Sequence, residues 1–450
     1  MPRPKLLSPL AGVLVSFMIL FALFSLVTGG MTPGRGIPVL YLVFAVMALF
    51  FLLGSIGAET MRHPASSSGG PADAPAPPPL PDVQVSDLMT DATQRRVGPA
   101  LVVEGQLRGS AAEAARSLAQ RYRGSGWTPL LTEGERGGAA VLMLPVDLAA
   151  AADRPRHIWI NGLLLVATLL TTTWAGALHQ GVNLLQEPGR FAVGLPYAVG
   201  LMAILGAHEL GHYFTARYHK IAVTLPYFIP IPFALGTFGA FIRILSPARD
   251  RRGLFDMAVA GPYAGLVLAI PALLIGLPMS HVVTLPAGAS IGAGIGGGMS
   301  LESSLLLTVL AKLSMGSALD AGNALLLHPI AFAGWLGLLV TALNLLPIGQ
   351  LDGGHMADAM FGRRASGFLS GAAIVVLVIL GIFVWSGLLF WAFIAFFVAG
   401  RKGLPPLNDI DRLGPGRLAA GWLAFGILAA ILMPVPHALL ETLCSKCPYL

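Results

Sequence analysis

The sequence predicts an all-α polytopic membrane protein of eight or nine spans, carrying one small soluble α+β module. Three observations predict it. Of 450 residues, 55% are hydrophobic and only 11% charged, whereas an average soluble domain carries about 25% charged residues. Mean hydropathy is +0.75. Apolar runs of about 20 residues, the length that crosses a bilayer, recur through the chain and are interrupted by one stretch of soluble composition. The 55 glycines and 34 prolines fit this class, since both are more frequent in membrane helices than in soluble ones. Net charge is +6 with a sequence pI near 9.5. In a membrane protein that excess reads as basic residues in cytoplasmic loops, not as a nucleic-acid surface. Two cysteines, Cys444 and Cys447, exclude a disulfide framework as the basis of the fold.

The first spans are expected at residues 6–28 and 37–57, as a transmembrane hairpin (1–58) with its N-terminus in the cytoplasm. Arg3 and Lys5 would also suit a signal peptide, but no small-residue cleavage site follows them and a second apolar run comes almost at once. Residues 59–82 include "PASSSGGPADAPAPPPLPD", a composition that buries no core and reads as a disordered linker. Residues 83–153 form the soluble module. "ALVVEGQL", "WTPLL" and "AAVLMLPV" read as strands, and "SAAEAARSLAQRYRGSG" reads as an amphipathic helix with Ser110 as N-cap and Glu113 as its partner. Such a module either binds substrate or a regulator, or is a folded spacer.

The membrane core is expected over 154–412. Arg154 and Arg156 precede a span at 157–178, and a fourth span covers 191–217, followed by Arg217 and Lys220. Residues 224–244 are apolar but broken by Pro226, Pro230, Pro232, Gly236 and Gly239. Helix is disfavoured there, and an extended hairpin enters a membrane only where protein covers its backbone. A fifth span at 254–277, a Gly-rich loop at 287–298, a short helix at 301–315 and a sixth span at 329–346 follow. The apolar run 366–400, with basic residues at both ends, reads as a tight hairpin of two short helices turning near "WSG", or as one long tilted helix. A last span at 418–433 lies in a C-terminal segment, 413–450.

"HELGH", residues 208–212, sits inside the fourth span. Residues four apart stand on one helix face, so His208 and His212 can face one metal ion, with Glu209 beside them as general base. Ionisable residues inside a span are expensive and mark function by default, and a divalent cation is the simplest partner for three of them. A catalytic zinc takes three protein ligands and keeps an open position. "NLLPIGQLDGGH", residues 344–355, offers the third in Asp352, just past the sixth span. The two crossings between the motifs, the fifth span out and the sixth back, bring both halves to one membrane depth. Gly353 and Gly354 allow close backbone approach there.

HExxH within a span, followed about 140 residues later by NxxPxxxLDG, resembles the site-2 protease family of intramembrane zinc metalloproteases. The segments "LFDMAVAGPYAG", "LLLHPIAFAGWLGLLVTALNLLPIGQLDGG" and "PPLNDI" resemble in particular the plant plastid EGY branch and its bacterial relatives. "GQLR", residues 105–108, resembles the GNLR element of that branch, with Gln106 in place of Asn. The resemblance covers roughly residues 100–412. It implies one zinc ion per chain held by His208, His212 and Asp352, with Glu209 activating water. It implies that Asn344 positions substrate, that residues 221–245 form a membrane-embedded β-hairpin, and that the activity is regulated proteolysis of transmembrane substrates. The expected location is a bacterial inner membrane, multi-pass, with the site near the cytoplasmic side. The expected partners are transmembrane proteins and the lipid bilayer, not nucleic acid.

Other residues carry two readings. Asn344 could instead make a helix–helix hydrogen bond. His355 is either a partner to a metal ligand or an exposed loop histidine. His328 reads as interfacial, "GPYAG" (261–265) as a packing face, and Arg243 as a substrate or lipid contact or a snorkelling arginine. "CSKC" has a metal or redox spacing at the end of the chain. The alternative function is a catalytically silent membrane chaperone or scaffold, against which all four zinc-site residues argue. A transporter would need paired broken helices in repeated halves, which the sequence lacks.

Overall fold

The computed structural model describes residues 83–97, 100–134, 137–148, 158–232, 235–283, 304–316, 324–383, 387–396, 403, 405–436 and 439. The expected N-terminal hairpin and linker, the Gly-rich loop, the turn at Trp385 and Ser386, and the two cysteines lie outside the described residues.

Residues 83–148 form a four-stranded antiparallel sheet in the order β1-β2-β4-β3, with one helix. The elements are β1 (Met89–Val97), β2 (Ala100–Leu107), α1 (Ala111–Arg121), β3 (Thr128–Glu133) and β4 (Ala139–Leu144). Ser110 caps α1, its side chain accepting a 3.3 Å hydrogen bond from the Glu113 N–H. Ala111, Ala114, Ala115 and Leu118 fall at helical spacing on one face of α1. They share a core with Leu101, Val103, Leu131, Val141 and Met143 of the sheet. β1 is absent from the sequence expectation: its residues 91–97 are all exposed and polar or small apart from Val97, so no alternation marks it.

The helical part comprises α2 (Ile158–His179), a short 3-10 turn (Pro188–Val193), α3 (Leu195–Tyr218), α4 (Arg251–Gly276), α5 (Leu305–Met315), α6 (Pro329–Leu345), α7 (Asp352–Phe361), α8 (Arg363–Phe383), α9 (Gly387–Ile394) and α10 (Pro415–Leu432). Four described helices, α2, α4, α8 and α10, are long and apolar enough to cross a bilayer. They expose large apolar side chains outward, among them Leu170, Val267, Phe368 and Trp422, which is the surface that hydrocarbon covers and water does not. Two further helices, α5 and α6, are apolar but shorter.

α3, α4 and α6 pack together at the centre, in one core with Leu201, Leu205, Leu266, Ala269 and Leu338. α3 and α4 approach closely at Gly211, where a Cβ would lie 2.6 Å from the Ala260 carbonyl oxygen. Asp250 caps α4 by accepting from the Gly253 N–H at 2.8 Å.

The prolines and glycines of residues 224–244 give a short antiparallel pair, β5 (Tyr227–Pro230) with β6 (Thr237–Phe241). Gly236 turns it at φ +79°. Three side chains pin it to the helices. Asn161 donates to the Leu225 and Pro226 carbonyls, Thr171 donates to Gly236 at 2.6 Å, and Tyr197 donates to Leu235 at 2.8 Å. A second small pair joins β7 (His281–Val283) to β8 (Ala324–Leu326).

A strap, residues 407–409, joins the sheet to the helices. The Leu131 N–H of β3 donates to the Leu407 carbonyl, and the Asp409 N–H donates back to the Leu131 carbonyl. On its other side, Leu407 and Asn408 donate to the Ala248 and Arg249 carbonyls, just before α4.

Candidate metal centre

His208 and His212 lie one turn apart on α3 and are both buried. Their Nε2 atoms are 3.1 Å apart. Asp352, the first residue of α7, places Oδ2 3.3 Å from His208 Nε2 and 3.2 Å from His212 Nε2. Three donors from two separate segments thus form a nearly equilateral triangle. Tetrahedral zinc with nitrogen ligands at about 2.0 Å separates its donors by about 3.3 Å, so the triangle has the size of one zinc face. Among the described residues this is the group of His, Cys, Asp and Glu side chains that could hold a metal ion.

The imidazole of His212 is oriented for ligation. Its Nδ1 lies 2.7 Å from the Met257 carbonyl oxygen on α4. A carbonyl only accepts, so Nδ1 carries the proton and Nε2 keeps its lone pair for the metal. Opposite stands Gly261, also on α4, where a Cβ would fall 2.0 Å from His212 Nε2. Gly265, one turn on, lies against His208, with a Cβ placed 3.3 Å from Nδ1. The "GPYAG" face is therefore a packing face, and what it packs against is the ligand pair.

The chain reverses sharply to deliver Asp352. Pro347 follows the end of α6, and Gly349 takes φ +50°. Ser370 of α8 staples the turn, accepting from the Gly349 N–H at 3.1 Å and donating to the Pro347 carbonyl at 2.8 Å. α7 then starts at once, and its N-terminal dipole favours the Asp352 carboxylate. Gly353 passes so close to the end of α6 that a Cβ would lie 2.0 Å from the Leu345 carbonyl oxygen.

Glu209 is buried on α3, near both histidines and Asp352. Asn344, near the end of α6, places its amide nitrogen 3.2 Å from His208 Nε2. All five residues expected from the sequence are thus brought to one place. His355 corrects one expectation. It is not an exposed loop residue but lies buried in α7, one turn after Asp352, because the helix runs straight through both glycines. His328 lies apart, as the N-cap of α6, accepting from the Ile330 N–H at 3.3 Å. The Met257 carbonyl and Gly261 escape the sequence reading. The first is a backbone group with no residue signature, and the second shows only as a small residue in a packing motif.

The family model for peptidase family M50 matches residues 196–387. The chain is 35% identical over 251 residues to the probable zinc metalloprotease EGY1, chloroplastic, of Oryza sativa subsp. japonica, covering 55% of this chain and 42% of that protein. It is 36% identical over 246 residues to the probable zinc metalloprotease EGY2, chloroplastic, of Oryza sativa subsp. indica, covering 54% and 43%. To the probable zinc metalloprotease EGY3, chloroplastic, of the same rice it is 30% identical over 311 residues, covering 64% and 50%. The chain spans about half the length, or less, of these relatives. Their names place them in chloroplasts, so a bacterial inner membrane gains no support from them. No solved structure matches. The matched region begins with the helix that carries both histidines and runs past Asp352: over residues 196–387 this chain is similar to peptidase family M50.

Proposed function

We propose that the chain is a multi-pass intramembrane zinc endopeptidase that cuts transmembrane proteins, as in regulated intramembrane proteolysis. The observation that carries this reading is the triangle of His208, His212 and Asp352 with Glu209 beside it. A structural zinc site is closed by four protein ligands, whereas a catalytic one keeps a position open, and three donors fit the second kind. When bound, zinc supplies Lewis-acid polarisation of the scissile carbonyl and acidifies water. His208, His212 and Asp352 hold it. Glu209 accepts a proton from the attacking water and hands it to the departing amine. Asn344 orients the carbonyl region of the substrate beside His208. The paired segment β5–β6 lies within the bilayer and guides the unwound substrate by strand addition, its position locked to α2 and α3 by Asn161, Thr171 and Tyr197.

The domain division follows from the same reading: a module at 83–153, a membrane protease core at 154–412 and a closing span at 413–450, in a chain of eight or nine spans. Arg217 at the end of α3 and Lys220 just past it support a site near the face that basic residues mark.

Replacing Glu209 by Gln tests the proposal. Zinc content should stay at the parent level while cleavage of a transmembrane peptide falls by about 10²–10⁴-fold, the contribution of a positioned base. A chaperone or scaffold would keep its effect on membrane proteins in that variant, and parent-level cleavage would end the protease reading.

A further inference from the structure

The metal ligands arrive on α3 and α7, and α4 orients His212 from between them. α4 and α7 pack directly against each other, and one further contact that holds them lies outside the metal centre. Arg251, the first residue of α4, makes a 2.7 Å ion pair from Nε to Asp409 Oδ1 of the strap. Both side chains are more than nine-tenths buried. Burial pushes the Asp409 carboxyl up, and the Arg251 guanidinium beside it draws it back. The same guanidinium abuts the end of α7, where a Cβ on Gly362 would lie 3.5 Å from Nη2. α4 therefore meets the pair six residues before Met257, whose carbonyl orients His212. α7 meets it at the end opposite Asp352.

The strap is not free to give way. Its backbone is bonded on one side to Leu131 of the module and on the other to Ala248 and Arg249. Asn408 stiffens it, donating to Asp411 at 2.8 Å and accepting from the Ile410 N–H at 3.1 Å. Ile410 packs into the module's core. Helices transmit displacement as rigid elements, and a shift of an ångström or less suffices to spoil a ligand set.

We propose that Arg251 and Asp409 are a positioning pair for the metal centre. They hold α4 and α7 in the register that brings His212 and Asp352 together, and they tie that register to the 83–148 module through the strap. This rests on the metalloprotease reading for its consequence but not for its test.

The full-length chain in detergent is compared with Asp409→Asn, Arg251→Lys and the exchanged pair Arg251→Asp with Asp409→Arg. The readouts are zinc affinity against a competing chelator and the visible spectrum of the cobalt-loaded protein, which reports ligand geometry in the folded fraction. Loss of groups that orient metal ligands lowers affinity by about 10–100-fold, and Asp409→Asn should fall in that range with an altered cobalt spectrum. Arg251→Lys keeps the charge but loses the planar fork and should be intermediate. The exchanged pair should restore both readouts. Parent-like affinity and spectrum in Asp409→Asn overturn the inference, as does an exchanged pair no better than the single variant. If Asp409→Asn fails to accumulate, Asp409→Glu serves, with a smaller change in the same direction expected and parent-like readouts overturning the idea. Failure of the protease reading looks different: a parent chain that binds zinc and cuts nothing.

Discussion

Gly261 faces His212 across the α3–α4 contact so closely that a single added methyl would lie 2.0 Å from the ligating nitrogen. That carbon would lie over the face of the imidazole, 2.4 Å from both ring carbons beside Nε2, so the ring must leave its ligating position. Gly261→Ala should therefore abolish stoichiometric zinc binding while the chain still folds in the membrane. Gly206→Ala on α3 is the control, since nothing lies within 4 Å of its added carbon, and alanine is better in a helix than glycine by about 0.5–1 kcal/mol. Metal analysis of both purified variants decides. Zinc retained at one ion per chain in Gly261→Ala would mean that the α3–α4 contact yields and leaves His212 in its ligating position.

The donor triangle predicts a reversible dependence on metal and a direction with pH. Imidazole nitrogens and a carboxylate bind zinc only when deprotonated, so acidification competes with the metal. A chelator should remove cleavage activity, zinc should return it, and zinc release should increase as pH falls. Asp352→Ala removes a direct ligand and should weaken zinc by more than the roughly 10–100-fold typical of outer partners. Equilibrium dialysis across a pH series measures both. An unchanged zinc affinity in Asp352→Ala would remove α7 from the site.

Much of this centre is legible in the sequence because its chemistry is written in side chains at fixed spacings. HExxH sets two ligands and a base on one helical turn, and the second motif supplies a carboxylate next to glycines. The helices are legible for the same reason, since apolar runs have a length that a bilayer dictates. What stays hidden has no such mark. The Met257 carbonyl that sets the His212 tautomer belongs to every residue type alike. The Arg251–Asp409 pair joins residues 158 positions apart, and neither residue's neighbours announce the other. After its buried first residue, Met89, β1 is a strand of exposed and mostly polar residues held by pairing with β2. His355 follows two glycines that suggest a loop, yet those glycines serve close packing against Leu345 and Gly349 and leave the helix unbroken.

The hydrogen bond from Thr171 to Gly236 predicts a defect in substrate handling without loss of metal. Thr171→Val keeps the side-chain shape and removes the donor, so the Gly236 carbonyl keeps only its 3.1 Å bond from the Ile231 N–H, a loss of about 0.5–1.5 kcal/mol. The β5–β6 turn loosens beside the metal centre. kcat/KM on a transmembrane peptide should fall by about tenfold, equivalent to roughly 1.4 kcal/mol, at parent zinc content. Loss of zinc in step with activity would assign Thr171 to general folding instead.

The module's core gives the last prediction. Leu118 is 1% exposed at the centre of the α1–sheet contact, and cutting such a residue to alanine costs about 2–5 kcal/mol. A fold of this size rarely holds more than about 3–5 kcal/mol from a single core, so Leu118→Ala should unfold the module, and limited proteolysis should then cut within residues 83–148. The strap would lose its two bonds to Leu131 yet keep Arg251, Ala248 and Arg249. Zinc affinity should therefore fall by less than in Asp409→Asn, because the pair still stands while one of its two supports is gone. A module that unfolds with no effect on zinc affinity would mean that the strap is held from the membrane side alone, and that the sheet is a spacer.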